Sequence, residues 1–272
     1  MPSRLPADYH THTPLCKHAE GEPEAFVNRA IALGLAEYGI SDHAPQIPEP
    51  FDDWRMDEEE LPDYFEWIQK AREQAAGRIE IRAGLECDWL PGNEAWLNDL
   101  ASRYPWDYLI GSVHYLPEPE RPWDFDNPAW LGKWSQIDVD EAWEKYWKAY
   151  AEMARSGLFD ILAHPDLIKK FNYRPEGDLR RFYDPVIEAI ASSSAAIELN
   201  TAGWHKACEE AYPTLEFLTL ARQAEIPITL SSDAHAPEEL GRDFEKGISW
   251  LKQAGYTSTC LFRGRERSSR PL

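Results

Sequence analysis

The chain has 272 residues, of which 43% are hydrophobic, and its 28 basic and 48 acidic residues give a formal net charge of −20. That length suits one α/β barrel or two small domains, and the apolar content is enough for a sizeable core. The negative charge disfavours nucleic acid and anionic membrane surfaces as general partners. No apolar run reaches the roughly 18 residues that suggest a transmembrane helix.

The beginning of the chain and its cysteines indicate a cellular compartment. Residues 1–8 lack the apolar core of a signal peptide. The cysteines are scattered and form no CxxC pair; they are Cys16, Cys87, Cys208 and Cys260. We therefore expect a soluble protein in the reducing cytoplasm, with cysteines that pack in the core rather than pair. The sequence leaves open whether the chain forms a homo-oligomer.

Short apolar runs alternate with longer amphipathic runs from one end of the chain to the other. The predicted strands cover residues 8–11, 37–41, 79–85, 108–113, 159–163, 196–199, 227–230 and 257–262. The predicted helices cover residues 23–33, 58–76, 94–103, 139–156, 178–193, 214–224 and 237–254. This alternation predicts a parallel sheet, either open or closed into a barrel.

Seven of the eight histidines lie in, or just after, short motifs that end predicted strands. They are His10, His12, His18, His43, His114, His164 and His235. A further strand ends in Glu86-Cys87-Asp88, and Asp233 stands two residues before His235, on the same face of an extended chain. Imidazole and carboxylate are the ligands that zinc, iron and manganese prefer. Because they outnumber the ligands of one ion, they predict a multinuclear metal centre.

The distribution of these motifs decides between an open sheet and a barrel. Ligand motifs end six of the first seven predicted strands, and residues 198–200 end the other. An open sheet collects its ligands at one switch point, from a few strands only. A closed ring brings all strand ends to one face. We therefore predict a distorted barrel of seven or eight strands. Two long loops, residues 44–57 and 115–138, leave this face and are either lids or packed flaps.

Taken in order, these motifs resemble the signature of the PHP (polymerase and histidinol phosphatase) superfamily. Four sequence segments resemble its histidinol-phosphate phosphatase branch: HTPLCKHA at 12–19, IGSVHYL at 110–116, LNTAG at 199–203 and SDAH at 232–235. The resemblance covers nearly the whole chain and implies one PHP-type phosphoesterase domain over residues 1–272. It also implies a distorted (β/α)7 TIM-like barrel that holds three divalent metal ions, with zinc, iron and manganese as the candidates.

The resemblance also implies how the ligands divide among the ions. The first ion would take His10, His12, Glu86 and Asp233. The second would share Glu86 as a bridge and add His114 and His164. The third would take His18, His43 and His235. Asp88 is either a rival carboxylate or a residue that orients a ligand.

Metal-bound water has a pKa near about 7, so a bridging hydroxide could attack phosphorus in line at neutral pH. The predicted catalytic residues are Glu86, Asp233 and His235. Glu86 would hold two ions, while Asp233 or His235, acting through water, could protonate the leaving alkoxide. A metal-bound water is the other candidate donor. The chain shows no covalent-nucleophile signature.

Substrate contacts are predicted from basic and polar residues beside the motifs. Lys170 and Arg242 are the first candidates for phosphate, followed by Lys17 and Lys169, although each could be a solvated surface residue. Asn200 would bond a ligand or cap its strand, and an aromatic residue, Tyr115 or Trp54, would face the substrate's imidazole. The leading hypothesis is a phosphomonoesterase that converts L-histidinol phosphate to L-histidinol and phosphate in histidine biosynthesis.

Two alternatives remain. The same metals could serve a phosphoesterase for nucleotides or another small ester, because loops rather than the fold set the substrate. A non-catalytic structural or partner-binding module is also conceivable, but it would tend to lose ligands, and all nine ligand positions are filled here.

Overall fold

The computed structural model describes residues 5–49 and 51–272. Within these ranges the helices are α1 (Pro23–Leu33), α2 (Leu61–Ala75), α3 (Glu94–Arg103), α4 (Val139–Ser156), α5 (Arg180–Ala191), α6 (Leu215–Gln223) and α7 (Phe244–Gln253). The strands are β1 (Glu37–Ile40), β2 (Glu80–Ala83), β3 (Glu86–Asp88), β4 (Ile110–Ser112), β5 (Tyr115–Leu116), β6 (Trp123–Asp124), β7 (Ile161–Leu162), β8 (Ala196–Asn200), β9 (Ile228–Ser231), β10 (Ser258–Arg263) and β11 (Glu266–Pro271). Across the described residues, none of these helices is both long and apolar enough to span a membrane.

Seven extended segments form a ring, which confirms the predicted barrel. β1 pairs in parallel with β2, and β3, β4, β7, β8 and β9 form a parallel sheet in that order. β2 and β3 belong to one segment that is interrupted at residues 84–85. The remaining segment is residues 5–12, which the structure joins to its neighbours through isolated bridges.

Those bridges close the ring on both sides of residues 5–12. Asp8 is bridged to Tyr38 of β1, and Thr11 is bridged to Ala234 just beyond β9. The Thr11 bridge includes the hydrogen bond from the His12 N–H to the Ala234 carbonyl oxygen, 2.8 Å long. A parallel bridge from His43 to Glu86 extends the contact between the β1 and β3 segments. The ends of all seven segments therefore meet at one mouth.

The eighth predicted strand does not join this ring. β10 pairs antiparallel with β11 and forms a C-terminal hairpin. Phe262 of β10 packs with Tyr9 and Tyr108 from the ring in an apolar cluster of its own. A strand was predicted over residues 257–262 and is observed over Ser258–Arg263, but it lies outside the barrel because its partner is β11, a segment that lacks a strand pattern.

The last predicted helix, over residues 237–254, is also corrected. It is a 3₁₀ turn (Pro237–Glu239) followed by α7. Between them Gly241 adopts φ +65° and donates its N–H to the Asp8 carboxylate at 3.0 Å. Asp8 is fully buried, and Ser232 also donates to it through its N–H and hydroxyl. The break therefore satisfies a buried carboxylate that is 233 positions away in sequence.

Both long loops pack against the barrel mouth. Loop 44–57 is fixed by Arg55, which is 2% exposed and donates to Asp52, Asp88 and the Ala44 carbonyl oxygen. Loop 115–138 contains the β5–β6 hairpin and a 3₁₀ helix (Pro128–Gln136). The long loops were expected to be either lids or packed flaps. The hydrogen bonds of Arg55 indicate that loop 44–57 is a packed flap.

Close packing around Tyr108 leads to a stability prediction. A Cβ atom placed on Gly84 would lie 2.3 Å from the Tyr108 ring, whose hydroxyl is fixed by donating to the Tyr9 carbonyl oxygen at 2.6 Å. We expect Gly84→Ala to lower the free energy of unfolding by about 1–3 kcal/mol, because overpacking forces buried groups apart. Gly132→Ala is the control, since no atom lies within 4 Å of its added Cβ. Denaturant unfolding measures both, and equal stabilities would contradict the packing argument.

Candidate metal centre

The barrel mouth gathers the predicted ligand side chains into one cluster. Most of them are buried; the exceptions are Asp233 and His235, with side chains 19% and 27% exposed, and the exposed His18. The cluster consists of His10, His12, His18, His43, Glu86, His114, His164, Asp233 and His235. Six of the seven ring segments, and the loop that follows the first of them, supply these residues, so only the closed ring brings them together.

Glu86 lies at the middle of the cluster, and its two carboxylate oxygens face different histidines. Oε2 is 2.8 Å from Nδ1 of His43 and 3.3 Å from Nε2 of His10. Oε1 is 3.1 Å from Nε2 of His164 and 3.7 Å from Nε2 of His114. A carboxylate with ligand nitrogens on both sides has the geometry needed to bridge two cations.

Several triads offer ligand atoms that lie within 4.8 Å of one another. They are His18/His43/His235, His10/His12/Glu86, His43/Glu86/His114, His10/His164/Asp233 and His12/Cys16/His235. The first triad corresponds to the third ion's implied ligands. His43 also belongs to a triad with Glu86, so the geometry offers it to two sites. Burial raises the pKa of the Cys16 thiol, which disfavours the thiolate that binds metals.

Three carboxylates orient the histidine rings from behind. Glu198 contacts Nδ1 of His10 at 2.9 Å, and Asp88 contacts Nδ1 of His114 at 2.8 Å. Asp42 lies 3.3 Å from Nδ1 of His12. Each contact leaves the opposite ring nitrogen directed at the centre, as is usual for metal-binding histidines.

This role was expected from sequence for Asp88 but not for the other two carboxylates. Asp42 and Glu198 are both fully buried. They stand at the ends of predicted strands, directly before His43 and two residues before Asn200. An acidic residue inside an otherwise apolar strand end was the signal that could have identified them.

The electrostatics of the cluster favour ligand-competent carboxylates. Burial would raise the pKa of Glu86, but the neighbouring histidines, His10 foremost, hold it well below its ordinary value. Burial also favours the neutral form of His43, whose pKa is well below normal. His12 is the opposite case: burial lowers its pKa, but hydrogen bonds to Asp233 and Asp42 raise it to about 9. The buried carboxylates therefore need positive charge beside them. Protons on the histidines or a bound metal ion can supply that charge, and the two compete.

The donor atoms fit a divalent metal. Among the described residues, Nε2 of His10 and Oε2 of Glu86 are buried without a hydrogen-bond partner, although they lie 3.3 Å apart. Buried polar atoms normally have partners, so an unpaired nitrogen beside an unpaired oxygen indicates a missing cation. Imidazole nitrogen and carboxylate oxygen suit zinc, iron and manganese.

A cavity of about 620 Å³ opens over the cluster. Its wall contains three basic residues: Lys170, Lys206 and Arg242. It also contains acidic residues outside the histidine cluster: Asp53, Asp124, Asp126 and Glu239. Trp54 lines the wall too, with its ring 4.7 Å from that of His43. Two of the three basic residues are paired with acids of the same wall: Lys170 with Asp126 at 2.8 Å and Arg242 with Glu239 at 3.0 Å.

Two of the expected basic substrate contacts do not lie on this wall. Lys169 is fully buried, and its ammonium lies 3.0 Å from Asp166 and 3.1 Å from Glu210. Lys17 pairs with Asp57 at 3.1 Å. Lys169 therefore has a structural role, because its two carboxylate partners hold it away from the cavity.

Asn200 and Tyr115 also lie behind the wall. Asn200 donates to Oδ2 of Asp233 at 3.1 Å, so it orients a cluster carboxylate. The Tyr115 hydroxyl donates to Asp52 at 2.5 Å, and its ring stacks behind Trp54. Lys206 is the cation that the sequence analysis missed, since nothing in sequence distinguishes it from other surface lysines.

Comparisons with known proteins agree with this geometry. The model of the PHP domain matches residues 8–202. A probable histidinol-phosphatase of Deinococcus radiodurans is 38% identical over 95% of this chain and 97% of its own length. The histidinol-phosphatase of Bacillus subtilis is 26% identical over 88% of this chain and 96% of its own.

A solved structure shares the fold. It is histidinol phosphate phosphatase from Lactococcus lactis, complexed with zinc, L-histidinol and phosphate. Its TM-score is 0.80 at 23% identity, and the alignment covers 98% of this chain and all of the Lactococcus chain. With the domain match over residues 8–202 and a relative 38% identical along nearly its full length, the chain belongs to the PHP family.

Proposed function

We propose that this protein is a metal-dependent phosphatase that hydrolyses L-histidinol phosphate to L-histidinol and phosphate, a step of histidine biosynthesis. The observation that carries the proposal is Glu86, buried between two sets of histidines beneath a cavity with basic residues on its wall. Relatives that match along nearly the full chain are named histidinol-phosphatases, which supports this substrate.

The proposed cofactors are three divalent ions: zinc, iron or manganese. The zinc in the Lactococcus complex supports this choice. His10, His12, Asp233 and one oxygen of Glu86 would hold the first ion. The other oxygen of Glu86, with His114 and His164, would hold the second ion. His18, His43 and His235 would hold the third, and their mutual proximity supports this set.

When bound, these ions supply an activated water and neutralise charge on the phosphoryl oxygens. The water oxygen bonds to phosphorus as the ester P–O bond breaks, and the departing alcohol oxygen takes up a proton. Asp233 and His235 line the cavity, where they can pass that proton through a water. Asn200 holds Asp233 in place, while Lys170, Lys206 and Arg242 offer positive charge to the phosphate.

Loss of Glu86 tests the bridge. We expect Glu86→Ala to release more than one metal ion per chain and nearly abolish phosphate release, because both ions lose a ligand. Elemental analysis and a phosphate-release assay measure the two effects. Glu118→Ala is the control, since Glu118 pairs with Lys133 and lies outside the cavity wall. Loss of one ion or less, with substantial activity left, would contradict the bridging role.

Asp88 tests the orientation of His114. Asp88 accepts from Arg55 at 2.8 Å and contacts Nδ1 of His114 at 2.8 Å, so it connects loop 44–57 to the centre. We expect Asp88→Asn to weaken metal affinity by about 10–100-fold, the usual cost of losing a carboxylate behind a histidine ligand. Competition with a chelator measures the affinity. An unchanged affinity in a folded variant would remove Asp88 from the site.

The substrate is tested by comparing esters on one metal-replete preparation. We expect kcat/KM for histidinol phosphate to exceed that for a simple alkyl phosphate by on the order of 10² or more, because a site built for a polar group rejects analogues without it. A panel of nucleotides tests the alternative substrate class. Equal values for the two esters would reduce the function to a general phosphomonoesterase.

A further inference from the structure

The carboxylate of Glu239, on the cavity wall, accepts hydrogen bonds from two different parts of the site. Oε2 accepts from the His235 N–H at 2.9 Å, and Oε1 accepts from Nη1 of Arg242 at 3.0 Å. His235 belongs to the histidine cluster, and Arg242 lines the cavity as a candidate phosphate contact. One carboxylate therefore connects a predicted metal ligand with a cation of the same cavity.

The main chain around Arg242 is held in place without the Glu239 side chain. The Gly241 N–H donates to the buried Asp8 carboxylate at 3.0 Å, and the Thr201 hydroxyl donates to the Arg242 carbonyl oxygen at 2.8 Å. Both partners belong to the barrel or to the turn that follows one of its strands. Loss of the Glu239 carboxylate should therefore leave the fold of this turn unchanged and free only the Arg242 side chain.

The Arg242 side chain has a single partner to fix its direction. Apart from Glu239, no group in the described part of the chain accepts a hydrogen bond from this guanidinium. A long basic side chain without a partner samples many rotamers, and a ligand that binds it must first order it. The Glu239 carboxylate, itself fixed by a main-chain N–H, removes much of that freedom before a ligand arrives.

Glu239 orients this guanidinium and still leaves a donor for an anion. It engages Nη1, and Nε is buried, so Nη2 stays available for a phosphate oxygen. The negative charge of Glu239 opposes phosphate binding, but solvent screens that effect, because the Glu239 and Arg242 side chains are 30% and 26% exposed. Solvent does not screen the benefit of ordering the side chain, so ordering is the larger effect.

We propose that Glu239 is a positioning residue, which is held by the His235 N–H and keeps the Arg242 guanidinium directed at the phosphate group. Glu239 acts through Arg242 and contacts neither substrate nor metal itself. This inference rests on the proposed function, because it places the phosphate over the metal centre and beside Arg242.

The test measures the affinity of the metal-replete enzyme for inorganic phosphate by calorimetry. The variants are Glu239→Gln, Arg242→Met and the double variant. Glutamine has one carbonyl oxygen, so it cannot accept from both donors. We expect Glu239→Gln to weaken phosphate binding by about 3–10-fold, the usual cost of ordering one long side chain. In the Arg242→Met background the same change should cost less than about 2-fold, because the residue through which Glu239 acts is gone.

Glu238→Gln is the matched control. Glu238 is the exposed neighbour in the same turn, so this variant removes the same charge without touching Arg242. It should bind phosphate as the wild-type enzyme does. A loss in Glu238→Gln equal to that in Glu239→Gln would reduce the effect to overall charge and overturn the proposal.

Kinetics and metal content separate positioning from a structural role. Glu239→Gln should raise KM for histidinol phosphate by about the same factor as it weakens phosphate binding, with kcat within about 2-fold, because the contact is made in the ground state and the transition state alike. The metal content should stay at the wild-type value. Loss of a metal ion would place the role at His235 and overturn the proposal.

Two further results would also overturn it. Tighter phosphate binding by Glu239→Gln would mean that the carboxylate competes with phosphate for Arg242. An undiminished effect in the Arg242→Met background would mean that Glu239 does not act through Arg242. If the wild-type enzyme binds phosphate but does not cleave histidinol phosphate, the proposed function fails, while the phosphate affinities still decide the role of Glu239.

Discussion

A buried carboxylate surrounded by imidazoles is the interaction on which the rest of this structure depends. Glu86 is 1% exposed and contacts histidines from four other segments of the ring. A carboxylate in such a place is expensive unless it is paired and bonded on all sides. Ring closure meets part of that requirement, because it directs several imidazoles at one point, but it leaves Oε2 of Glu86 without a hydrogen-bond partner. The same concentration of donors makes the point suitable for more than one cation.

The next layer of the structure keeps those imidazoles in position. Glu198, Asp42 and Asp88 each contact the outer nitrogen of one ring, and all three are buried. Arg55 extends this layer into loop 44–57 by donating to Asp88. The loop is thus part of the support of the centre, and changes in the loop should be felt at His114. A centre held this way is oriented before any ligand arrives, which limits the reorganisation that binding requires.

The net charge of the whole chain is negative, whereas the cavity beside the cluster carries several positively charged side chains. The chain carries −20, yet the cavity wall places Lys170, Lys206 and Arg242 near a centre that demands positive charge. Metals there would be the largest local charges and would set the potential that an anionic ester meets. The same wall also carries the carboxylates of Asp53, Asp124, Asp126 and Glu239.

Local pattern was sufficient for much of the fold. Helices α1, α3 and α4 begin and end at the predicted residues, because amphipathic spacing and terminal Pro or Gly residues act within a few positions. The strand-end motifs also predicted that the nine cluster residues would converge. Tertiary structure decided the rest: Lys169 is turned toward Asp166 and Glu210, Asp8 interrupts the last helix through Gly241, and Asp124 faces the cavity. Each of these depends on a partner, or on a cavity wall, brought near by chain closure, and no periodicity in sequence encodes which distant residues will meet.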